Sequence, residues 1–288
     1  MALRVGFRLA ELVAPRVGGR LATDLWFRIP PASPVGDLPP GGVPFEVASQ
    51  GGVVRGHSWG TGPVVYLMHG WGGRGDQLAP FVEPLVARGH QVVTFDAPSH
   101  GASDAGPSGA GRAHGAEFGR AFDAVAARFG PAHAVIAHSM GAVPSLLTLH
   151  YGWLSTQRLV LLAPMASLAT HFDAFGSMVG FGARVRHRLE QVVAERTGLP
   201  VDEFDVRRLA ARLEQEDGEL PPLLVVHDTR DRETSYDESV SLVDHWPDAR
   251  LVTTQGLGHR RLLRDAGVVR VVTQFVVTPA ESLRESVA

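Results

Sequence analysis

The chain has 288 residues, 44% of them hydrophobic and 20% charged, which suits one large domain with an ample core, or one domain carrying an insertion. A net charge of −3 without any basic stripe argues against a nucleic-acid partner. The absence of cysteine excludes a thiol nucleophile, a disulfide framework and thiolate metal ligation, and it fits a reducing, cytoplasmic setting.

Arg4, Arg8, Arg16, Arg20 and Arg28 interrupt the apolar residues of the first 29 positions. No unbroken apolar run there approaches the length of a secretory signal or a spanning helix. Leu9, Leu12, Val13 and Val17 recur at helical spacing, as do Leu21, Leu25 and Trp26, so two short amphipathic helices are expected. Packing on the main domain is the favoured reading, and a basic helix lying on an anionic membrane surface is the alternative. Residues 30–44, rich in Pro and Gly, read as a linker.

Two short strand-like runs, 45–47 and 53–59, flank Gly51-Gly52, a hairpin signal. Apolar strands then alternate with helical stretches. Strands are expected at 64–68, 91–95, 132–137, 158–162, 223–227 and 250–253, and helices at 77–88, 113–129, after Ser139, and at 260–276. This alternation predicts an α/β fold: a mostly parallel, twisted sheet of eight strands with helices on both faces. One stretch breaks the pattern. Residues 165–221 hold helical patterns but no strand, which predicts a helical lid inserted before the penultimate strand. The expected organisation is therefore an N-terminal helical segment and linker over 1–42, a core over 43–164 and 222–277, a lid over 165–221, and a C-terminal tail over 278–288.

Ser139 carries the chemistry. It lies in Ala137-His138-Ser139-Met140-Gly141, between an expected strand and an expected helix. A serine on such a sharp turn projects its hydroxyl into a cleft, and small residues two before and two after it let strand and helix approach. Serine is also a common helix N-cap, so the pentapeptide gains weight only from its company. His259, in Gly256-Leu257-Gly258-His259, follows the last strand and suits a general base. Asp231 follows the preceding strand and is the favoured orienting carboxylate, with Asp228 as the alternative. The order Ser, Asp, His agrees with a nucleophile elbow. Backbone N–H groups of Met140 and of Trp71, in His69-Gly70-Trp71-Gly72-Gly73, suit an oxyanion hole. His69, His100 and Asp96 read as organisers of nearby loops, and His138 as a packing neighbour of the turn. Phe172, Phe175, Met178 and Phe181 are candidates for an apolar acyl pocket beneath the lid. Gly176, Gly180 and Gly182 would loosen that segment. No metal-binding motif is present, and nothing calls for a cofactor.

Taken together, these marks resemble the α/β-hydrolase superfamily over roughly residues 43–277. They are His69-Gly70-Trp71-Gly72, Asp96-Ala97-Pro98-Ser99-His100-Gly101-Ala102-Ser103, the Ser139 turn, Asp231 and Gly258-His259. Ala137 departs from the usual Gly-x-Ser-x-Gly, and Asp228 stands where the family often has glycine. The resemblance implies a serine hydrolase of carboxylesterase type acting on a small or medium ester. Acyl transfer, amide or peptide cleavage and C–C hydrolysis use the same triad, and a non-catalytic binding protein is the reading from another class. Ser139 in place of aspartate argues against an epoxide hydrolase or a haloalkane dehalogenase.

Overall fold

The computed structural model describes residues 2–31, 36–217 and 219–278. Part of the linker and nearly all of the expected 278–288 tail fall outside the described residues. Helices α1 (Ala2–Val13) and α2 (Pro15–Trp26) form an N-terminal hairpin. Strands β1 (Val43–Ser49) and β2 (Gly52–Trp59) meet at Gln50 and Gly51, both with left-handed backbone. There follow β3 (Val64–Met68), α3 (Val82–Val86), β4 (Gln91–Phe95), α4 (Gly115–Phe129), β5 (Ala132–His138), α5 (Ala142–His150) and β6 (Leu159–Leu162). Helices α6 (Leu168–Val179), α7 (Ala183–Thr197) and α8 (Val206–Asp217) stand between β6 and β7 (Leu223–Asp228). The chain continues through α9 (Tyr236–Asp244), β8 (Ala249–Thr254), α10 (Gly258–Arg261) and α11 (Ala266–Val277).

The eight strands form one sheet in the order β1-β2-β4-β3-β5-β6-β7-β8. Only β2 runs against the rest: it is antiparallel to both β1 and β4, and every other pairing is parallel. Apolar side chains alternate across the sheet at period two, so each strand feeds both faces. Tyr66, Met68, Val135 and Leu161 pack with Phe118 and Phe122 of α4 and Leu146 of α5. On the opposite face, Val65, Leu67, Ile136 and Val160 pack with Phe81 and with Val272 and Phe275 of α11.

Three local features differ from expectation. The helix expected at 77–88 is a 3₁₀ segment, Gly75–Phe81, followed by the short α3. Pro80 lies inside the 3₁₀ segment and has no N–H to donate to an α-helical ladder. The helix expected at 260–276 is two, because Asp265 leaves helical geometry and its side chain accepts from Val268 N–H, capping α11. Helix α9 was not foreseen, although Ser235 precedes it and Asp237 and Glu238 lie in its first turn.

The N-terminal hairpin rests on the helices that follow β6. Gly18 and Gly19 of α2 are buried against α7, where a Cβ on Gly19 would lie 2.6 Å from Arg188 Cβ and 3.0 Å from its carbonyl carbon. Phe7 of α1 meets Phe181 at a ring separation of 5.6 Å. Glu11 receives the N–H groups of Gly182, Arg184 and Val185 at the start of α7. Burial acts to raise the Glu11 pKa, but these three hydrogen bonds outweigh it and hold the carboxyl below its usual value. Replacing Gly19 with alanine should force α2 away from α7 and cost about 1–3 kcal/mol. Limited proteolysis should then cut the N-terminal helices sooner than in the native chain, while the sheet persists.

Candidate active site

The parallel strands present their carboxyl ends along one edge, where open α/β sheets hold their ligands. Ser139 stands just past the end of β5, between β3 and β6. Its φ of +54° is left-handed, a costly backbone for a residue with a Cβ. Close packing holds it there. A Cβ on Gly70 would come within 2.8 Å of Ser139 Cβ, and one on Gly141 would meet Met68 O at 2.8 Å. Ala137, the departure from glycine, lies fully buried within β5, paired with Met68 and Leu161, and the extra methyl is accommodated.

His259 begins the short helix after β8. Its Nε2 accepts the Ser139 hydroxyl at 2.9 Å, and its Nδ1–H donates to Asp231 Oδ2 at 2.8 Å. Asp231 is fully buried in its side chain. Thr234 Oγ1 donates to Oδ2 at 3.0 Å, and the N–H groups of Glu233 and Thr234 donate to Oδ1 at 2.7 and 3.1 Å. His227 Nε2 lies 3.3 Å from Oδ2, while its Nδ1 meets Ser239 Oγ at 2.6 Å. Burial by itself raises the Asp231 pKa, yet the hydrogen bonds from His227, His259 and the Glu233 N–H prevail and hold it well below the carboxylate range. His227 is a partner of this carboxylate that the sequence reading missed. The signal was available, since His227 and Asp231 are four apart at the end of one strand.

Asp228 does something else. Its carboxylate accepts from Thr254 Oγ1 at 2.8 Å and from the N–H groups of Leu257, Arg230 and Gly256, at 2.8, 2.9 and 3.2 Å. It ties the loop that carries His259 to the end of β7. Burial opposes ionisation, but the Thr254 hydroxyl and these backbone groups lower its pKa to about 2.

The glycine loop after β3 faces Ser139. The Trp71 N–H meets no acceptor among the described residues. Its neighbours are fixed by two buried histidines. His69 Nδ1–H donates to Gly70 O at 2.7 Å, and its Nε2 accepts the Ala97 N–H at 2.9 Å. His100 Nδ1–H donates to Pro98 O at 2.9 Å, and its Nε2 accepts the Gly72 N–H at 3.1 Å. Asp96 accepts from Gly75 and Ala102 N–H, each at 2.8 Å, so it organises its own loop. His138, beside the turn, donates from Nε2 to His259 O at 2.9 Å.

A cavity of about 420 Å³ opens over Ser139 and His259. Its walls are mainly apolar, with Leu25 and Trp26 from α2, Val143 from α5, Leu168 and Phe175 from α6, and Phe204. Arg28, His114, His171, Glu233 and Arg260 give it a polar rim. Of the four pocket residues expected from sequence, only Phe175 lines it. Phe172 is fully buried and turned to Trp26, at a ring separation of 4.7 Å. Phe181 packs between Phe7 and Phe175. Met178 points outward and is 67% exposed. Residues 172, 175 and 178 share a helical stripe, but the hairpin covers part of it and claims Phe172 and Phe181. The wall supplied by α2 was not foreseen. Among the described residues no cluster of histidine and carboxylate side chains could hold a metal ion, and no helix is long and apolar enough to cross a membrane.

A family profile described as "Alpha/beta hydrolase family" matches residues 64–271. The chain belongs to that family. No curated protein matches it. Among solved structures, it is similar to Est1E from Butyrivibrio proteoclasticus with ferulic acid bound, at 18% identity over 84% of this chain and 99% of that one, TM-score 0.60. It is also similar to the Pyrococcus furiosus esterase PF2001, at 16% identity over 87% and 96%, TM-score 0.63. The esterase EaEST from Exiguobacterium antarcticum aligns at 14% identity over 81% and 99%, TM-score 0.59. At these identities the likeness is one of fold.

The buried histidines make stability depend on pH. Burial, with help from the neighbouring imidazole, lowers His100 and His138 to about 3, and burial lowers His69 as well. Each stays neutral when folded and protonates when unfolded, so the folded state binds fewer protons. Stability should be full above about pH 6.5, the ordinary histidine value, and should fall as pH drops from there toward 3, by about 1.4 kcal/mol per pH unit for each of His100 and His138, with His69 acting in the same direction. Urea unfolding across this range should show the slope, and His100→Gln should make it shallower by one proton.

Proposed function

We propose that the protein is a serine hydrolase that cleaves a small or medium carboxylic ester through an acyl-enzyme on Ser139. One observation carries this reading: the unbroken Ser139–His259–Asp231 chain of hydrogen bonds, 2.9 and 2.8 Å long, at the floor of an apolar cavity. In the proposed reaction Ser139 Oγ attacks the ester carbonyl as its proton passes to His259 Nε2. The carbonyl oxygen, now negative, receives the N–H groups of Trp71 and Met140. Collapse of the tetrahedral intermediate expels the alcohol, which takes the proton from His259. Water then repeats the sequence with the acyl group and frees Ser139. Asp231 keeps Nδ1 protonated, so that Nε2 is the basic nitrogen, and it stabilises the imidazolium once formed. The apolar walls favour an uncharged acyl group, and a cavity of this size suits a small-molecule substrate. Several structures of the same fold are described as esterases, which supports the class of reaction but not the substrate.

A fluorophosphonate probe should label the protein, and Ser139→Ala should abolish labelling. Persistence of the label in that variant rejects Ser139 as nucleophile. Asp231→Asn should lower kcat for p-nitrophenyl acetate by about 10⁴-fold, because it favours the wrong histidine tautomer. Asp228→Asn should act mainly by loosening the His259 loop, with a much smaller loss. Equal losses would reject the division of roles between the two carboxylates.

In the cavity, Phe175→Ala and Trp26→Ala should change the preferred acyl length in a p-nitrophenyl ester series. Met178→Ala, outside the cavity, should leave it unchanged.

A further inference from the structure

The outer face of the N-terminal hairpin is apolar where a surface helix is ordinarily polar. Helix α1 turns Phe7 and Glu11 inward, and its opposite side carries Val5, Leu9, Leu12 and Val13, each between 59% and 72% exposed. On α2, Val17 and Leu21 are 56% and 52% exposed. Met178 extends the patch at the end of α6, where Arg4 donates to Ser177 O. Such large exposed apolar residues are otherwise sparse among the described residues, where only Val43 and Tyr151 lie outside this region and its margins. A cluster of this kind marks a contact surface.

Charge identifies what covers it. Residues 1–29 hold five arginines against Glu11 and Asp24, a local charge of +3 in a chain whose total is −3. Both acids are engaged: Glu11 caps α7, and Asp24 pairs with Arg112 and Arg196. Arg8, Arg16 and Arg20 are exposed and have no carboxylate partner among the described residues. Free cations beside an exposed apolar stripe are complementary to an anionic bilayer surface. A second copy of the chain fits less well. Two helices of 12 residues span about 18 Å each, and their outer faces offer a few hundred Å², below the roughly 800 Å² per partner of a stable dimer.

The patch also leads to the site. Val17, Leu21 and Leu25 recur every four residues along α2, and Leu25 lines the cavity. We propose that α1 and α2 seat the protein on an anionic lipid surface, and that the cavity draws its ester from the lipid side. The second half of this proposal rests on the hydrolase reading, and the first does not.

The test is co-sedimentation of the full chain with vesicles of mixed phosphatidylcholine and phosphatidylglycerol, and with phosphatidylcholine alone. Binding should require the anionic lipid and weaken as salt is raised. Leu9→Asp with Leu12→Asp should reduce it about tenfold or more, and Arg8→Gln, Arg16→Gln and Arg20→Gln together by about a hundredfold, at about 1 kcal/mol per arginine. All five side chains face solvent, and unchanged thermal unfolding of the variants would establish that they fold. Absence of vesicle binding, or binding that survives the aspartate pair, overturns docking. So does a dimer in sedimentation equilibrium that the same pair dissolves while vesicles stay unbound. Hydrolysis of soluble p-nitrophenyl acetate is followed in parallel. If the native chain binds vesicles but turns over no ester, docking stands and the hydrolase reading fails.

Discussion

The geometry of the site depends on the left-handed turn at Ser139. A central parallel strand ends there and a helix begins at once, so the residue at the junction cannot relax into ordinary backbone space. Backbone approach on two sides enforces the turn. Gly70 lets the loop after β3 slide beside Ser139, and Gly141 lets the start of α5 lie under Met68. The strained conformation sets the hydroxyl at the sheet edge, 2.9 Å from His259 Nε2. Strain of this kind persists only where its surroundings over-determine it, and here the core on both faces of β5 does so.

The same logic extends to the groups that face Ser139. Several loops at the sheet edge are held by polar side chains that bond to backbone groups. Asp228 fixes the His259 loop, Asp96 fixes the loop after β4, and His69 and His100 fix the glycine loop. Asp231 receives donors at both oxygens. A carboxylate so supplied stays ionised although it is buried, because the hydrogen bonds outweigh its desolvation. The imidazole it holds is thus fixed in orientation between Asp231 and the Ser139 hydroxyl.

Much of this was legible in the sequence. The core strands are apolar at nearly every position, and a parallel sheet covered on both faces requires just that. Ser139, His259 and the glycine loop were legible because each occupies a fixed place relative to a strand end. The two aspartates were harder to separate, since one ends β7 and the other follows three residues later. The turn between them decides the matter: Asp231 N–H bonds to Asp228 O, which leaves one carboxylate turned to the loop and the other to His259. The pocket walls were the least legible part. Periodicity identifies a stripe on a helix, but it does not say which neighbour covers it. Phe172 and Phe181 were claimed by the N-terminal hairpin, whose docking on α6 and α7 is a contact across about 170 residues of chain.

That docking gives the molecule its asymmetry. The sheet edge is roofed from two sources, α6 and α7 after β6 and α2 from the N-terminus, and the cavity lies where they meet. Gly18 and Gly19 permit close contact between the two, while Glu11 pins the start of α7 through three backbone amides. A roof built this way couples the outer surface to the cavity, because α2 carries Val17 and Leu21 outside and Leu25 and Trp26 inside. The hairpin's outer face and the cavity wall are thus neighbouring stretches of one helix. The sheet edge below is joined to this roof, since Ile29 N–H bonds to Gly111 O, Ala113 N–H to Phe27 O and Met165 N–H to Ser139 O. The fold thus sets the Ser139 hydroxyl and the His259 imidazole on a floor of polar contacts beneath a roof of mainly apolar side chains, and the backbone of the two is continuous.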